Sequence, residues 1–154
     1  MRIERATASD VPAVEALLLA AKLPLEGAAE ALATGVVARD GEAVVGAAAV
    51  EPFGEAGLLR SVVVAEPLRG TGLGRQLVAA AEGLARDRGI RQLYLLTETA
   101  ADWFPRLGYG VVQREEARAA VGASISRMVK REIKRRESGS ATTLSTRSLP
   151  ISLR

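Results

Sequence analysis

The residues whose spacing holds the most chemistry are Arg69-Gly70-Thr71-Gly72-Leu73-Gly74, which follow the apolar run Val62-Val63-Val64 and the turn-forming Pro67. Alternating glycines let a backbone approach a ligand without interference from Cβ, and free N–H groups at a helix start attract phosphate oxygens. Arg69 adds a fixed positive charge beside them. A pyrophosphate or a phosphorylated cofactor is the physical expectation. A dinucleotide fingerprint needs a third glycine where Arg75 stands, and a Walker loop needs a Lys-Ser/Thr pair that does not follow Gly74. The pattern Arg-x-x-Gly-x-Gly after a strand fits completely. Its competitor is an ordinary glycine turn capping a helix.

Other chemistry is bounded by what the chain lacks. It contains no Cys and no His, which removes a thiolate nucleophile, a disulfide scaffold, a Ser-His-Asp triad and every zinc site built on those ligands. No metal is expected. Acid–base work falls to Asp, Glu, Lys, Tyr, a water or the substrate itself.

The elements that must position this loop follow from periodicity. Ile3 suits a short first strand. Thr7, Ser9 and Asp10 offer capping oxygens, and Val11, Val14, Leu17, Leu18 and Ala21 recur at helical spacing, so 11–21 reads as an amphipathic helix stopped by Pro24. Leu25 to Ala33 reads as a second, weaker helix. Val36–Arg39, Ala43–Val50 and Leu58–Val64, punctuated by Asp40-Gly41 and Gly54–Gly57, read as a three-stranded antiparallel meander. Leu73, Leu77, Val78, Ala81, Leu84 and Ala85 form the stripe of a helix capped by Gly89. Ile90–Leu96 is a buried strand, Ala100–Leu107 a short helix and Tyr109–Val112 a further strand. The order is that of an α+β domain with a mixed sheet.

At 154 residues, 48% apolar and 25% charged, the chain is one globular domain. Residues 131–154 carry six Lys/Arg against two Glu, a net of +4, and the other 130 residues carry 15 basic and 16 acidic side chains, a net of −1. The basic charge therefore belongs to the tail, and a nucleic-acid partner is not expected. No run reaches the roughly 20 apolar residues of a membrane span, and no signal peptide opens the chain, so a cytoplasmic protein is expected. The domain is read as 1–130. Ser124–Lys130 is placed as a last strand, and 137–154 is given no fixed structure.

On these residues the chain resembles the GNAT superfamily of acetyl-CoA-dependent N-acetyltransferases, over about residues 1–112. Arg69–Gly74 is similar to that family's acyl-CoA pyrophosphate loop, Leu59–Val64 to the strand before it, and Trp103-Phe104-Pro105-Arg106-Leu107-Gly108-Tyr109 to its later aromatic segment. The resemblance implies a mixed sheet splayed at its centre between the strands at 58–64 and 91–96, flanked by helices. It implies acetyl-CoA as cosubstrate, held by main-chain groups of Val62 and Val64, by Arg69, and by the N–H groups of Gly70, Thr71, Gly72 and Gly74. A narrower resemblance, to the arsenic-resistance branch, is carried by Val50–Gly54, Leu58–Val64 and Leu93–Ala100. That branch implies small amino-acid-like acceptors.

Within such chemistry a neutral amine attacks the thioester directly, and the Val64 N–H is placed to polarise its carbonyl. Glu51, at the end of an apolar strand, is the candidate base or ammonium anchor; the bland alternative is a solvated carboxylate. Arg60 shares side-chain parity with Val62 and Val64 on an ideal strand, which suits a ligand for a substrate carboxylate. An ion pair across the sheet with Glu51 weighs equally. Thr97 lies at the end of the other splayed strand, where a hydroxyl can orient a polar substrate, and Thr99 is explained as well by helix capping. Phe104 stands where the family's thiolate-protonating Tyr falls, and Tyr109 suits packing, so no general acid is assigned. The resulting expectation is a small-molecule N-acetyltransferase, with a protein N-terminal acetyltransferase or a non-catalytic acyl-CoA-binding module as alternatives. A homodimer stays open.

Overall fold

The structure, a computed structural model, describes residues 1–97, 103–112, 115–121 and 143–148. Strand β1 (Arg2–Arg5) leads into a single 3-10 turn, Ala8–Asp10, and helix α1 (Val11–Ala20). A capping box opens this segment: the Thr7 N–H donates to Asp10 Oδ2 at 2.8 Å, and the Thr7 hydroxyl donates to the same oxygen at 3.1 Å. Helix α1 ends before Pro24. Lys22 adopts φ +58° and the Leu23 N–H closes back on the Leu18 carbonyl at 2.9 Å, so a left-handed cap stops the helix first. The expected face is realised: Val14 and Leu18 are fully buried and Val11, Leu17 and Ala21 pack beside them, while Leu19, off that face, is 67% exposed.

The second helix is shorter than expected. Helix α2 covers Ala28–Ala31 and tightens into 3-10 geometry over Leu32–Thr34, since Gly27, at φ +76°, delays its start. The meander follows as β2 (Gly35–Asp40), β3 (Ala43–Phe53) and β4 (Ala56–Val64), joined by two-residue loops at Gly41-Glu42 and Gly54-Glu55. Helix α3 (Leu73–Asp87) then crosses to β5 (Gln92–Thr97). Phe104–Leu107 forms a 3-10 turn, and β6 (Gly110–Val111), a helix α4 over 115–121 and β7 (Thr143–Ser148) complete the described chain.

The seven strands among the described residues lie in the order β1-β2-β3-β4-β5-β7-β6. Of these only β4 and β5 pair in parallel; their pairing covers just Ala56–Leu58 against Gln92–Tyr94, after which both strands continue apart. The sheet is therefore mixed and splayed at its centre, as expected of this α+β domain. Helix α3 covers one face, burying Leu73, Leu77, Val78, Ala81 and Ala85 against Ala48, Val50, Leu59, Leu93 and Leu95. Helices α1 and α2 cover the other face over Val37, Ala47, Ala49 and Val63, and α4 extends that layer over Leu58 and Tyr94.

Two sequence expectations are corrected by the backbone. Thr143–Ser148, within the stretch given no fixed structure, pairs with β5 from Gln92↔Ser148 to Thr97↔Thr143. Ser61 sits in a β-bulge at φ +56°, with the β3–β4 register shifting between Ala47↔Val63 and Ala49↔Arg60. The extra residue reverses side-chain alternation. Arg60 therefore does not share a face with Val62 and Val64, which pack on the α3 side, but lies on the α1–α2 side with Ala49 and Val63. The strand expected at Ser124–Lys130 and the start of the helix expected at Ala100 lie outside the described residues. No helix among the described residues is long and apolar enough to cross a membrane.

Candidate functional site

The site begins where β4 and β5 part. The Ala65 N–H donates to the Val45 carbonyl at 2.8 Å, so Ala65 turns its main-chain groups toward β3. Successive residues of a strand alternate edges, so the main-chain groups of Val64, and of Val62 by the same alternation, face the gap that β5 has left. The Val64 carbonyl accepts from Arg69 Nε at 3.1 Å, which anchors Arg69 at this mouth. Strand β4 thus presents an unpaired edge to the splay, the setting in which an extended amide-bearing ligand adds like another strand.

The chain then turns through Glu66–Leu68 into the glycine loop. Gly70 and Gly72 adopt φ +80° and +89°, a region closed to most L side chains, and Gly72 is the N-cap of α3. The first intrahelical bond runs from the Gln76 N–H to the Gly72 carbonyl at 3.2 Å. The N–H groups of Leu73, Gly74 and Arg75 therefore precede the helical ladder and point outward at the positive end of a 15-residue helix. Thr71 serves the loop differently: its hydroxyl donates to the Leu68 carbonyl at 2.6 Å and closes the turn, leaving only its main chain for a ligand.

These elements surround a cleft of about 300 Å³ lined by Val62, Val63, Val64, Leu68, Arg69, Gly70, Gly72, Gly74, Arg75 and Trp103. One end is strand edge and the other is helix N-terminus with two guanidinium groups. That gradient suits a ligand with an amide arm and a phosphate head. A Cβ on Gly74 would lie 3.2 Å from Trp103 Cζ2, so the missing side chain is what lets the indole close the wall. Trp103 packs edge-on against Phe104 at 4.8 Å, and Phe104 against Tyr109 at 5.6 Å. Phe104 and Tyr109 are both buried in the α3-side core.

On the opposite face, Arg60 and Glu51 meet as the alternative reading allowed, with Arg60 Nη1 3.7 Å from Glu51 Oε2. The Arg60 side chain is 7% exposed and also donates from Nη2 to the Glu26 carbonyl, while Glu51 is 21% exposed. The guanidinium thereby ties the turn before α2 to β3. Glu51 lies inside β3 rather than at its end, and keeps partial access to solvent. Thr97 is the last residue of β5, beyond the point where β4 and β5 separate. Thr99 lies outside the described residues.

Sequence reasoning missed Leu68, Arg75 and the cleft role of Trp103. Arg75 entered only as the residue that breaks a dinucleotide fingerprint, although its place after Gly74 in the first turn of α3 was the available signal. A second ionic cluster lies elsewhere. Arg39 Nη2 donates to both Asp10 oxygens at 2.8 Å, and its Nε donates to Glu4. Burial disfavours the Asp10 charge, but hydrogen bonds from the Thr7 main chain and from Arg39 outweigh it and hold the carboxyl below the usual carboxylate range.

Residues 32–111 match the acetyltransferase (GNAT) domain family. A segment of 74 residues, 48% of the chain, is 39% identical to N-alpha-acetyltransferase 80 of Mus musculus. Among solved structures, the chain is similar over 97% of its length to Rv2747 of Mycobacterium tuberculosis in complex with CoA, with a TM-score of 0.75 and 21% identity, covering all of that chain. It is similar over 97% of its length to N-acetylglutamate synthase of Neisseria gonorrhoeae complexed with coenzyme A and N-acetyl-glutamate, with a TM-score of 0.75 and 20% identity. The matched segments span 24% of the mouse relative and 35% of the synthase chain.

Proposed function

Because the chain belongs to the GNAT acetyltransferase family, we propose that it transfers the acetyl group of acetyl-CoA to the primary amine of a small, amino-acid-like molecule. The observation that carries this reading is the unpaired edge of β4, which opens at Leu58 and leads through Val64 into the glycine loop. The pantetheine arm lies along Val62 and Val64. The pyrophosphate rests on the N–H groups from Gly70 to Gly74 beside Arg69. Transfer follows by direct attack: the acceptor ammonium loses a proton, the amine nitrogen bonds to the thioester carbon, and the carbon–sulfur bond breaks. The nitrogen then sheds a second proton while the thiolate gains one, giving an amide and free CoA. The Val64 N–H faces the gap and is placed to stabilise the carbonyl oxygen.

Glu51 receives the acceptor ammonium, directly or through a water, and Arg60 orients the Glu51 carboxylate rather than holding the substrate itself. Thr97 is assigned to the acceptor side. With Phe104 apolar and packed between Trp103 and Tyr109, we assign no side-chain acid to the leaving sulfur among the described residues. Water supplies that proton. Similarity to a synthase complexed with N-acetyl-glutamate supports an amino-acid-like acceptor, as does the resemblance to the arsenic-resistance branch. A second reading, acetylation of a protein N-terminus, is favoured by the 39% identity to N-alpha-acetyltransferase 80.

The test is CoA release from acetyl-CoA, followed with a thiol reagent, against amino acids, their phosphinic and arsenical analogues, and short peptides. The chain has no Cys to add background. Turnover with an amino-acid-like amine is expected, and Glu51→Gln should lower kcat/KM by about 10²–10⁴-fold. Turnover confined to peptides would favour the second reading. Binding of acetyl-CoA without turnover across the panel would leave a non-catalytic binding module.

A further inference from the structure

The cleft holds one more cation than its main-chain cradle uses. Arg75 follows Gly74 in the first turn of α3, is exposed, and lines the cleft with Arg69 and Trp103. The first turn of α3 contains no acidic residue, and among the described residues no ion pair or hydrogen bond engages the Arg75 side chain. A guanidinium at the positive end of a helix dipole is disfavoured unless an anion lies against it. Arg69 is turned back to the strand by its bond to the Val64 carbonyl, so the pyrophosphate subsite lies between Arg69 and the N–H groups of the loop. That leaves the Arg75 guanidinium as the second cation lining the cleft. A CoA ligand carries a second anionic group besides its pyrophosphate, the ribose 3′-phosphate.

Resting on the acetyl-CoA reading above, we propose that Arg75 binds the 3′-phosphate and is the residue by which this protein selects CoA thioesters over their 3′-dephospho counterparts. A phosphomonoester dianion facing a guanidinium makes a charge-assisted pair. Solvent access at this rim keeps the pair modest and salt-sensitive.

Trp103 is the only tryptophan in the chain and lines the cleft, so its emission reports occupancy without a label. Titrations with acetyl-CoA and with acetyl-3′-dephospho-CoA at low ionic strength, for the unaltered protein, Arg75→Gln and Arg75→Lys, decide the matter. The unaltered protein should bind acetyl-CoA about tenfold more tightly than the dephospho form. Arg75→Gln should bring that ratio close to one while leaving dephospho affinity unchanged, which also shows that the cradle is folded. Arg75→Lys should keep part of the preference. Equal weakening of both ligands by Arg75→Gln would move Arg75 to the pyrophosphate and overturn the proposal. So would an unaltered protein with no preference. If neither ligand changes the emission or the melting temperature of the unaltered protein, the acetyl-CoA reading falls and takes this proposal with it.

Discussion

Asp10 is 4% exposed and receives both of its contacts with Arg39 at 2.8 Å, whereas Glu51 stands 3.7 Å from Arg60 with a fifth of its side chain open. The first geometry is architectural. Asp10 joins the start of α1 to β2 through Thr7 and Arg39, far along the sheet from the splay, and removing its charge leaves a largely buried guanidinium with its Glu4 pair but without its Asp10 partner. The second geometry is looser and leaves a carboxylate edge for a ligand. The distinction is testable through pH. The folded-state pKa of Asp10 is depressed, so its contribution is fully present above the unfolded value of about 3.9 and is lost as pH falls through the folded value. Asp10→Asn should cost about 2 kcal/mol at neutral pH. In urea titrations that gap should narrow steadily below about pH 4; a gap independent of pH would mean that Asp10 acts through shape rather than charge.

At the scale of elements, the loop that opens α3 combines a backbone requirement with a packing requirement, and the two fall on different glycines. Gly72 has φ +89° with nothing within 4 Å of a built Cβ, so a side chain there has space but the wrong backbone. Gly72→Ala should cost about 1–2 kcal/mol in urea unfolding, and Gly72→Asn less, because Asn visits the left-handed region more readily. Equal costs would show that the loop relaxes out of this conformation. Such a loop is readable from sequence because glycine spacing and helix period are local signals, as are the two hairpin turns and the stripe from Leu73 to Ala85. The bulge at Ser61 was not readable. No Gly or Pro marks it, and one inserted residue moves Arg60 to the opposite face, so strict alternation placed Arg60 beside Val62 and Val64 when it faces Glu51. Strand β7 escaped for another reason. Thr143–Ser148 is polar and has no strong pattern of its own, and its order comes from pairing with residues some fifty positions earlier. The Glu51–Arg60 pair lay between these cases: two charged residues in facing strands were visible, and the register that joins them was not.

For the whole molecule, the splay divides the sheet into β1–β4 and β5-β7-β6, joined directly by only three paired positions. What holds the halves together is their shared packing. Leu77 and its neighbours on α3 bury Val36 and Ala48 from one half with Leu93 and Leu95 from the other, and Leu58 meets Tyr94 on the opposite face. A core that crosses the gap on both faces should make unfolding one cooperative transition despite the divided sheet. A ligand seated between β4 and the Trp103 segment, and bound only by the native state, must then stabilise the entire domain. Acetyl-CoA at a hundredfold its Kd should add about 2.7 kcal/mol, which for a chain of this size raises Tm by about 5–10 °C. Calorimetry with and without acetyl-CoA, compared with hydrogen exchange in β2 and β5, checks this directly. Protection should rise in both strands, although neither of them lines the cleft. If the heat-capacity trace splits and only one component moves, the halves are energetically separate and α3 does not couple them.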